Sequence, residues 1–339
     1  MDALQHSILS FLGRHDLTPG HLIPCLSFLR ARYPGQEIRP IRVQGFCSIT
    51  YSLGDQYIIQ IRPRVYPLDL ETLAVARDVY GNHAPSVRLV KRFGNSGLEI
   101  YEMSRVQGIS LLDHRLGCAD SSGLKGLVDG FAEVQILGYK SCKTEGFHKG
   151  LVGKSLEYRL KLLERDLPVR FRPVTRYVVD RLDDIVTLPW VFTHGDLVPG
   201  NIMVNRTGDR ILGLVDWTES EWLPCGMGFY GLDIILGEGE GSAGLKKRFW
   251  ERLEVGIHVE GGWRGFKRRV ELARILGILL WFGIAWDEGR RDRVVEEGRD
   301  FEEVERLDAF LGNIDVYAET ESKSSEDILV TGGRINSKL

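Results

Sequence analysis

The chain has 339 residues, of which 43% are hydrophobic and 27% are charged, and its formal net charge at pH 7 is −3. This composition allows a buried core and a soluble surface, and the length suits two domains or lobes. The small net charge argues against nucleic acid as the main partner.

The first residues, MDALQHSILSFLGRHD, lack the basic start and the small-residue cleavage site of a signal peptide. They predict an amphipathic helix with Leu4, Ile8 and Leu12 on one face. The apolar run at 275–286 is too short to span a bilayer and predicts a buried helix. The cysteines form no CxxC pair and are odd in number, which argues against a disulfide framework or a zinc cluster and fits a reducing compartment. We therefore expect a cytoplasmic protein without a membrane span.

Residues 1–37 predict a helical extension, since a second short helix is expected at 21–33. Residues 38–107 then predict a small antiparallel sheet with one helix. Turn residues and β-branched runs support strands within 38–55, at 57–63 and in two segments of 87–103, and helical periodicity supports a helix at 69–81.

Residues 108–321 are predicted to be mainly helical, and the polar tail at 322–339 is predicted to be disordered. Helices are expected at about 122–138, 153–166, 173–186, 243–255, 264–286 and 300–318. Short strands are expected within WVFTHGD (190–196), NIMVN (201–205) and ILGLVDW (211–217). The fold class is therefore α+β, with a small sheet lobe followed by a larger helical lobe.

The stretch THGDLVPGNIMV, residues 193–204, carries the main chemical signal. Asp196 and Asn201 are five residues apart, the spacing of a phosphoryl-transfer loop in which one side chain steers a hydroxyl and the next binds a metal. A second carboxylate, Asp216, directly follows an apolar run. Because Mg²⁺ prefers oxygen ligands, Asn201 and Asp216 are candidates to hold it.

HGDLVPGN followed by VDW resembles the aminoglycoside phosphotransferase and choline kinase group, and the flanking segments resemble a fungal branch of it. The resemblance covers roughly residues 40–240. It implies a protein-kinase-like fold and an ATP- or GTP-dependent small-molecule kinase, with Asp196 as catalytic base. It also implies that Asn201 and Asp216 are Mg²⁺ ligands, and that His194 orients the catalytic loop.

Simpler interpretations compete with these roles. A HxD sequence also occurs as a turn capped by Asp or as half of a hydrolytic metal site, but the spacing to Asn201 and Asp216 favours the kinase-like interpretation. His194 is a poor metal-ligand candidate because no second His lies nearby in the sequence.

The nucleotide side departs from the kinase pattern. The segment from Gly45 to Thr50 has a single glycine, so the Ser48 and Thr50 hydroxyls and free backbone N–H groups would have to cover phosphates. Gln60 stands where the family carries Lys or Arg, and Arg62 shares its strand face. Arg62 is therefore either the phosphate-binding cation or a solvated strand end.

Further positions follow from the resemblance or from local composition. The resemblance implies a helix glutamate as partner of the cation, for which Glu71 is the best candidate; alternatively it is an ordinary first-turn Glu. It also implies that an adenine edge meets the link near Met103, Ser104 and Val106.

Substrate contacts are expected from Glu219 and Glu221, which lie among tryptophans and suit a cationic amine or sugar, unless both face water. The predicted function is transfer of phosphate to a small-molecule hydroxyl. A pseudokinase that binds nucleotide or a partner, suggested by Gln60, is the alternative. The sequence does not indicate the oligomeric state.

Overall fold

The computed structural model of the protein describes residues 3–42, 44–117, 123–237, 242–287 and 290–312. The helices are α1 (Ala3–Arg14), α2 (Pro19–Arg32), α3 (Leu70–Tyr80), α4 (Leu111–Gly117), α5 (Leu124–Lys140), α6 (Leu156–Asp166), α7 (Arg172–Val179), α8 (Leu182–Val186), α9 (Tyr230–Leu236), α10 (Ser242–Gly256), α11 (Trp263–Phe282) and α12 (Phe301–Leu311). The strands are β1 (Ile38–Pro40), β2 (Ile49–Leu53), β3 (Tyr57–Pro63), β4 (Val87–Arg92), β5 (Leu98–Ser104), β6 (Ile109–Ser110), β7 (Trp190–Thr193), β8 (Ile202–Val204), β9 (Ile211–Leu214), β10 (Glu221–Pro224), β11 (Ile284–Asp287) and β12 (Arg290–Val294).

The largest sheet has five strands in the order β1-β2-β3-β5-β4, and every neighbouring pair is antiparallel. Three smaller sheets have the strand orders β6-β8-β9, β7-β10 and β11-β12. The rest of the described chain is mainly helical. The α+β fold class predicted from the sequence is therefore confirmed.

Helices α1 and α2 cover one face of the five-stranded sheet. Phe11 and Leu29 from these helices share a fully buried core with Ile59, Ile61 and Ile100 from the strands. Because successive side chains of a strand point to opposite faces, the polar residues of β3 lie on the other face of the sheet.

Capping residues account for both ends of helix α3. The Asp69 side chain accepts hydrogen bonds from the N–H groups of Glu71 and Thr72, which have no partner within the helix. The helix ends at Gly81, whose φ of 55° is unfavourable for other residues.

Helix α5 approaches the β8–β9 hairpin closely enough to require glycine. A Cβ atom at Gly126 would lie 2.0 Å from the carbonyl oxygen of Asp209. This contact is one reason why the hairpin, whose strand ends carry Asn201 and Asp216, is held against a helix far away in the sequence.

Several element predictions need correction. The helix expected at 264–286 ends at Phe282, and the segment from Ile284 pairs with β12 as a strand. The helix expected at 173–186 is divided into α7 and α8. The apolar run at 284–286 continues the helical pattern, so only its pairing with the following strand β12 distinguishes it from a helix.

Contacts divide the chain into two compact units. One consists of Met1–Lys149, Trp190–Leu223 and Ile234–His258, and the other of Gly150–Pro189, Pro224–Asp233 and Val259–Leu339. All the candidate site residues predicted from the sequence belong to the first unit. The predicted disordered tail at 322–339 lies outside the described residues, and no described helix is long and apolar enough to cross a membrane.

Candidate active site

The candidate catalytic loop begins where the buried strand β7 ends. Gly195, between His194 and Asp196, has a φ of 76°, and a Cβ atom there would lie 2.1 Å from the carbonyl oxygen of Glu219. The loop is therefore packed, backbone against backbone, on the segment that follows Asp216.

His194 joins the catalytic loop to the end of β9. Its Nε2 donates to the carbonyl oxygen of Val215 at 2.9 Å, and its Nδ1 accepts from the N–H of Asp196 at 3.2 Å. These two bonds require a neutral ring protonated on Nε2. Burial agrees with this state, because it lowers the pKa of His194 to about 4. The contacts describe a residue that positions Asp196 relative to Asp216.

Asn201 is oriented by Asp196. Its Nδ2 donates to the backbone oxygen of Asp196 at 2.9 Å and to the carboxylate Oδ2 at 3.0 Å. Both partners are acceptors, so the amide nitrogen of Asn201 must face them and the amide oxygen points away. The side chain therefore offers the oxygen that a hard cation prefers.

Asp216 is exposed at the end of the β8–β9 hairpin. A backbone hydrogen bond links Asn201 to Val215, the residue before Asp216. The N–H of Val215 donates to the carbonyl oxygen of Asn201 at 2.9 Å. Asp216 has a φ of 62°, a left-handed conformation that is uncommon outside glycine, and its Oδ1 accepts from Thr218 Oγ1 at 2.7 Å. This arrangement turns the carboxylate out of the strand direction.

The donor set is suited to Mg²⁺ bound together with a nucleotide. Asn201 and Asp216 supply an amide oxygen and a carboxylate, whereas no described group of three or more His, Cys, Asp or Glu side chains is arranged to hold a metal. Mg²⁺ commonly takes one or two carboxylates and completes its shell with phosphate oxygens and water. The residues present fit that kind of site.

The nucleotide-side candidates Gln60 and Arg62 contact each other on the polar face of β3. Arg62 donates from Nη1 to Gln60 Oε1 and from Nε to the carbonyl oxygen of Tyr66, both at 2.8 Å. It is 7% exposed and forms no ion pair with any residue in the described ranges. Burial lowers its pKa, and the nearby Cys47 and Asp216 oppose that shift. A buried guanidinium, which stays charged at neutral pH, therefore lies within electrostatic reach of Asp216.

The predicted phosphate-covering residues lie in the loop between β1 and β2 and at the start of β2. Ser48 and Thr50 are buried, and their hydroxyl oxygens lie 3.3 Å apart. Gly45 is exposed. The Gln44 side chain replaces a strand partner here, because it accepts from the N–H of Thr50 at 2.6 Å and donates to the carbonyl oxygen of Ile41 at 2.7 Å. The hydroxyls are thus engaged within the loop, and Gly45 is its open position.

Glu71 lies exposed in the first turn of α3 and, within the described chain, makes no ion pair with Arg62. The Arg62 guanidinium contacts Gln60 and Tyr66 instead of a carboxylate. The role expected for Glu71 thus finds no support in these contacts.

The predicted adenine link covers the last residues of β5 and the residues directly after it. The N–H of Ser104 donates to the carbonyl oxygen of Ser86, and the N–H of Arg105 to that of Gln56. Met103 and Val106 are half-buried. The N–H groups of Ser104 and Arg105 are therefore occupied by carbonyl oxygens of the chain itself.

The acidic pair after Asp216 is divided. Glu219 is exposed, whereas Glu221 is half-buried at the start of β10. Trp217 is buried against the rings of His194 and Tyr80, at centroid distances of 4.5 and 4.7 Å.

Trp222 is also buried, and the Lys143 ammonium lies 4.9 Å from its ring centroid. The tryptophans of this segment are therefore engaged with the chain's own side chains. The rings of Trp217 and Trp222 are therefore not exposed for the substrate contact predicted from the sequence.

Residues that sequence reasoning missed hold the β1–β2 loop. Ser7, Arg14 and His15 contact it from the N-terminal extension, and Tyr66 packs beside it. They lie 20 to 37 residues from their partners, and a single sequence carries no pattern that pairs them.

The family model of the phosphotransferase enzyme family matches residues 38–227. The aminoglycoside 2'-phosphotransferase-IIIa, solved with GDP, is 15% identical, with a TM-score of 0.56 over 84% of this chain and 97% of that one. The macrolide 2'-phosphotransferase from Brachybacterium faecium is 16% identical, with a TM-score of 0.52 over 77% and 92%.

The choline kinase from Streptococcus pneumoniae is 14% identical, with a TM-score of 0.50 over 85% and 99%. At such identities these likenesses show a shared fold. No curated protein matches the chain significantly.

Proposed function

The chain belongs to the phosphotransferase enzyme family, and from that premise we propose that it transfers the terminal phosphate of ATP or GTP to a hydroxyl group of a small molecule. Family membership confirms the predicted enzyme class, whereas the residue roles, the nucleotide and the acceptor belong to the proposal. Solved relatives of this fold were bound to GDP or to ADP, which supports a nucleotide as donor.

In the proposed reaction, the acceptor oxygen forms a bond to the γ-phosphorus while the bond to the β–γ bridging oxygen breaks. The acceptor proton passes to the Asp196 carboxylate. The Asn201 amide donates a hydrogen bond to Oδ2 of this carboxylate. The backbone N–H of Asp196 donates to His194, which fixes the backbone from which the carboxylate extends. A carboxylate that is held this firmly is suited to orient a hydroxyl for in-line attack.

Asn201 and Asp216 are the proposed Mg²⁺ ligands. Held by these two residues, Mg²⁺ would supply positive charge to neutralise the charge that develops on the transferred phosphate. The amide oxygen of Asn201 points away from Asp196, and the Asp216 carboxylate is exposed. His194 keeps these groups in register and stays neutral near pH 7 because its burial lowers the pKa to about 4.

The observation that carries the proposal is the buried charge of Arg62. Its guanidinium is 7% exposed, is held by Gln60 and Tyr66, and forms no ion pair within the described chain. A buried cation without a carboxylate partner is costly unless an anion compensates it. A nucleotide phosphate would do so, and a guanidinium can contact phosphate oxygens in a bidentate manner. We therefore assign to Arg62 the phosphate contact that the family usually gives to the Gln60 position.

The acceptor is proposed to be an aminoglycoside-like compound, an amino-alcohol or another metabolite with a hydroxyl group. Related folds include structures described with kanamycin and streptomycin, and a choline kinase. Glu219, exposed beside the catalytic loop, is the carboxylate best placed to attract a cationic acceptor. A cytoplasmic location belongs to the same proposal and suits described cysteines that form no disulfide with one another.

A pseudokinase is the second candidate, because Gln60 replaces the usual cation of its strand. It would bind nucleotide or a partner without efficient transfer. The oriented Asp196 and Asn201 favour the active enzyme over this alternative.

The test is transfer of labelled phosphate from ATP or GTP with Mg²⁺, across a panel of amino-alcohols, aminoglycosides and sugars. We expect transfer to at least one acceptor, and a loss of about 10²–10⁴-fold in Asp196→Asn, the usual contribution of a positioned base. Nucleotide affinity and melting temperature should stay near those of the wild type. Equal turnover in Asp196→Asn would remove this residue from the base role, and nucleotide binding without transfer to any acceptor would favour the pseudokinase.

A further inference from the structure

The N-terminal helix α1 contacts the β1–β2 loop through polar groups at its two ends. Near its start, Ser7 Oγ accepts from the backbone N–H of Gln44 at 3.1 Å. At its end, the Arg14 guanidinium lies 4.8 Å from the ring centroid of Phe46. His15, the next residue, donates from Nε2 to the carbonyl oxygen of Phe46 at 2.9 Å. The loop is thus tied to a helix that lies outside the family match at 38–227.

The same histidine also reaches the segment that holds Arg62. The His15 ring lies 5.3 Å from the Tyr66 ring and 6.0 Å from the Phe46 ring, and Phe46 and Tyr66 are 6.1 Å apart, all edge-on. The carbonyl oxygen of Tyr66 accepts from Arg62 Nε. His15 is therefore the shared contact between the loop and the backbone that orients the buried cation.

On the premise of the nucleotide-dependent transfer proposed above, we propose that α1 with His15 is a built-in positioning element of the nucleotide site. It sets the β1–β2 loop and Arg62 at the separation that a triphosphate requires. His15 acts through Phe46 and Tyr66 and is a positioning residue, not a catalytic one. The N-terminal extension is then part of the nucleotide site and not an accessory to the fold.

Apolar contacts anchor α1 on the sheet, where Phe11 and Leu12 are buried. The His15 ring adds one contact to this core, because its centroid lies 4.6 Å from that of the Phe11 ring. The polar contacts from Ser7, Arg14 and His15 fall on the loop. We therefore expect a change at His15 to act mainly on the loop, while Phe11 and Leu12 keep the helix against the sheet.

The first experiment measures phosphate transfer by His15→Ala, with His6→Ala as matched control, since His6 is an exposed histidine of α1. We expect the KM for nucleotide to rise on the order of tenfold in His15→Ala, because the hydrogen bond to the loop and the ring contacts to Phe46 and Tyr66 are lost, together with the contact to Phe11. The KM for the acceptor should stay unchanged, and His6→Ala should equal the wild type in both. The variant His15→Gln, which keeps a side-chain N–H for the Phe46 oxygen, should recover part of the nucleotide affinity.

The second experiment needs no nucleotide. Cys47, half-buried in the loop, is alkylated with iodoacetamide and its modification is followed by peptide mass. We expect the reaction to be about fivefold faster in His15→Ala than in the wild type and in His6→Ala, because loss of a hydrogen bond of about 1 kcal/mol favours local opening by that factor.

The two experiments separate the possible failures. Unchanged Cys47 reactivity in His15→Ala overturns the inference, and so does faster Cys47 reaction with an unchanged nucleotide KM. Equal rises in the KM for nucleotide and acceptor, or a large fall in melting temperature, would show a general structural role. If the wild-type chain neither binds nucleotide nor transfers phosphate, the proposed function fails, and the Cys47 experiment alone decides whether α1 positions the loop.

Discussion

The catalytic segment at 193–221 and the β1–β2 loop are held in different ways. In the catalytic segment, His194, Asp196, Asn201 and Val215 bond to one another across at most 21 residues. In the β1–β2 loop, polar contacts come from α1, 31 to 37 residues away. Local bonding makes a compact motif that is readable in the sequence. A loop held from a distance leaves no such motif in the sequence.

The two regions also differ in their buried charge. The catalytic segment buries a neutral imidazole, whereas the nucleotide side buries the guanidinium of Arg62. A neutral ring that satisfies two backbone groups is complete by itself. The Arg62 guanidinium forms no ion pair within the described part of the chain, and in the proposed function a nucleotide phosphate supplies the missing anion. On that proposal, the first region serves geometry and the second serves anion binding.

The largest effect is expected where the catalytic segment is packed most tightly. Gly195→Ala would place a Cβ atom 2.1 Å from the Glu219 carbonyl oxygen at a φ of 76°. We expect transfer to be abolished and the free energy of unfolding to fall by about 2–4 kcal/mol, from left-handed strain and overpacking.

Denaturant unfolding of Gly195→Ala and of Gly200→Ala measures the fall in the free energy of unfolding. The Gly200 control lies in the same loop, but a Cβ atom there meets nothing within 4 Å. Equal unfolding free energies of the two variants would show that the catalytic segment is not rigid at Gly195.

The next largest effect is expected at Asp216, the proposed Mg²⁺ ligand of the catalytic segment. Asp216→Asn keeps a residue that tolerates the φ of 62°, but it removes the carboxylate. We expect the Mg²⁺-dependent transfer rate to fall by roughly a hundredfold or more, since a bound metal contributes several kcal/mol. Asp216→Ala should lose Mg²⁺-dependent nucleotide binding as well as some stability, and Asn201→Ala should weaken binding less. Nucleotide titrations with and without Mg²⁺ that show the wild-type Mg²⁺ dependence in all three variants would exclude this metal site.

A smaller effect concerns the neutral histidine. The pKa of His194 is about 4 in the folded chain, against an ordinary value of 6.5. Between these values the unfolded chain binds a proton that the folded chain does not. Stability therefore falls as the pH decreases from about 6.5 towards 4, by at most about 1.4 kcal/mol per pH unit from this residue.

His194→Asn should be less stable at pH 7 but should lose stability less steeply between pH 6.5 and 5. Urea unfolding at several pH values checks the slope, and exposed His6→Asn should keep the slope of the wild type. Parallel slopes in the wild type and His194→Asn would mean that His194 is protonated in the folded chain.

The sequence predicted those parts of the molecule whose cause is local. Strand β3 was predicted at its observed bounds because Gly54-Asp55 and Pro63 delimit a β-branched run. The spacing of Asp196, Asn201 and Asp216 was readable because a short loop separates the first two and two short strands separate the last two. The sequence did not predict the contacts of His15, because they join segments that meet only in the folded chain. It also did not predict the end of α11 at Phe282, because the apolar run that follows continues the helical pattern. The fungal placement and the division into lobes stay predictions.

The measurement that tests the central claim most directly is the titration of the wild type, Arg62→Gln and Gln60→Lys with Mg-ATP and Mg-GTP. If Arg62 is the phosphate-binding cation, Arg62→Gln lowers nucleotide affinity on the order of tenfold or more, the usual value of a hydrogen-bonded charge. Gln60→Lys should then keep or raise the affinity and the turnover. Unchanged affinity in Arg62→Gln, together with phosphate transfer that appears only in Gln60→Lys, would contradict the claim and show a chain that has lost its phosphate anchor.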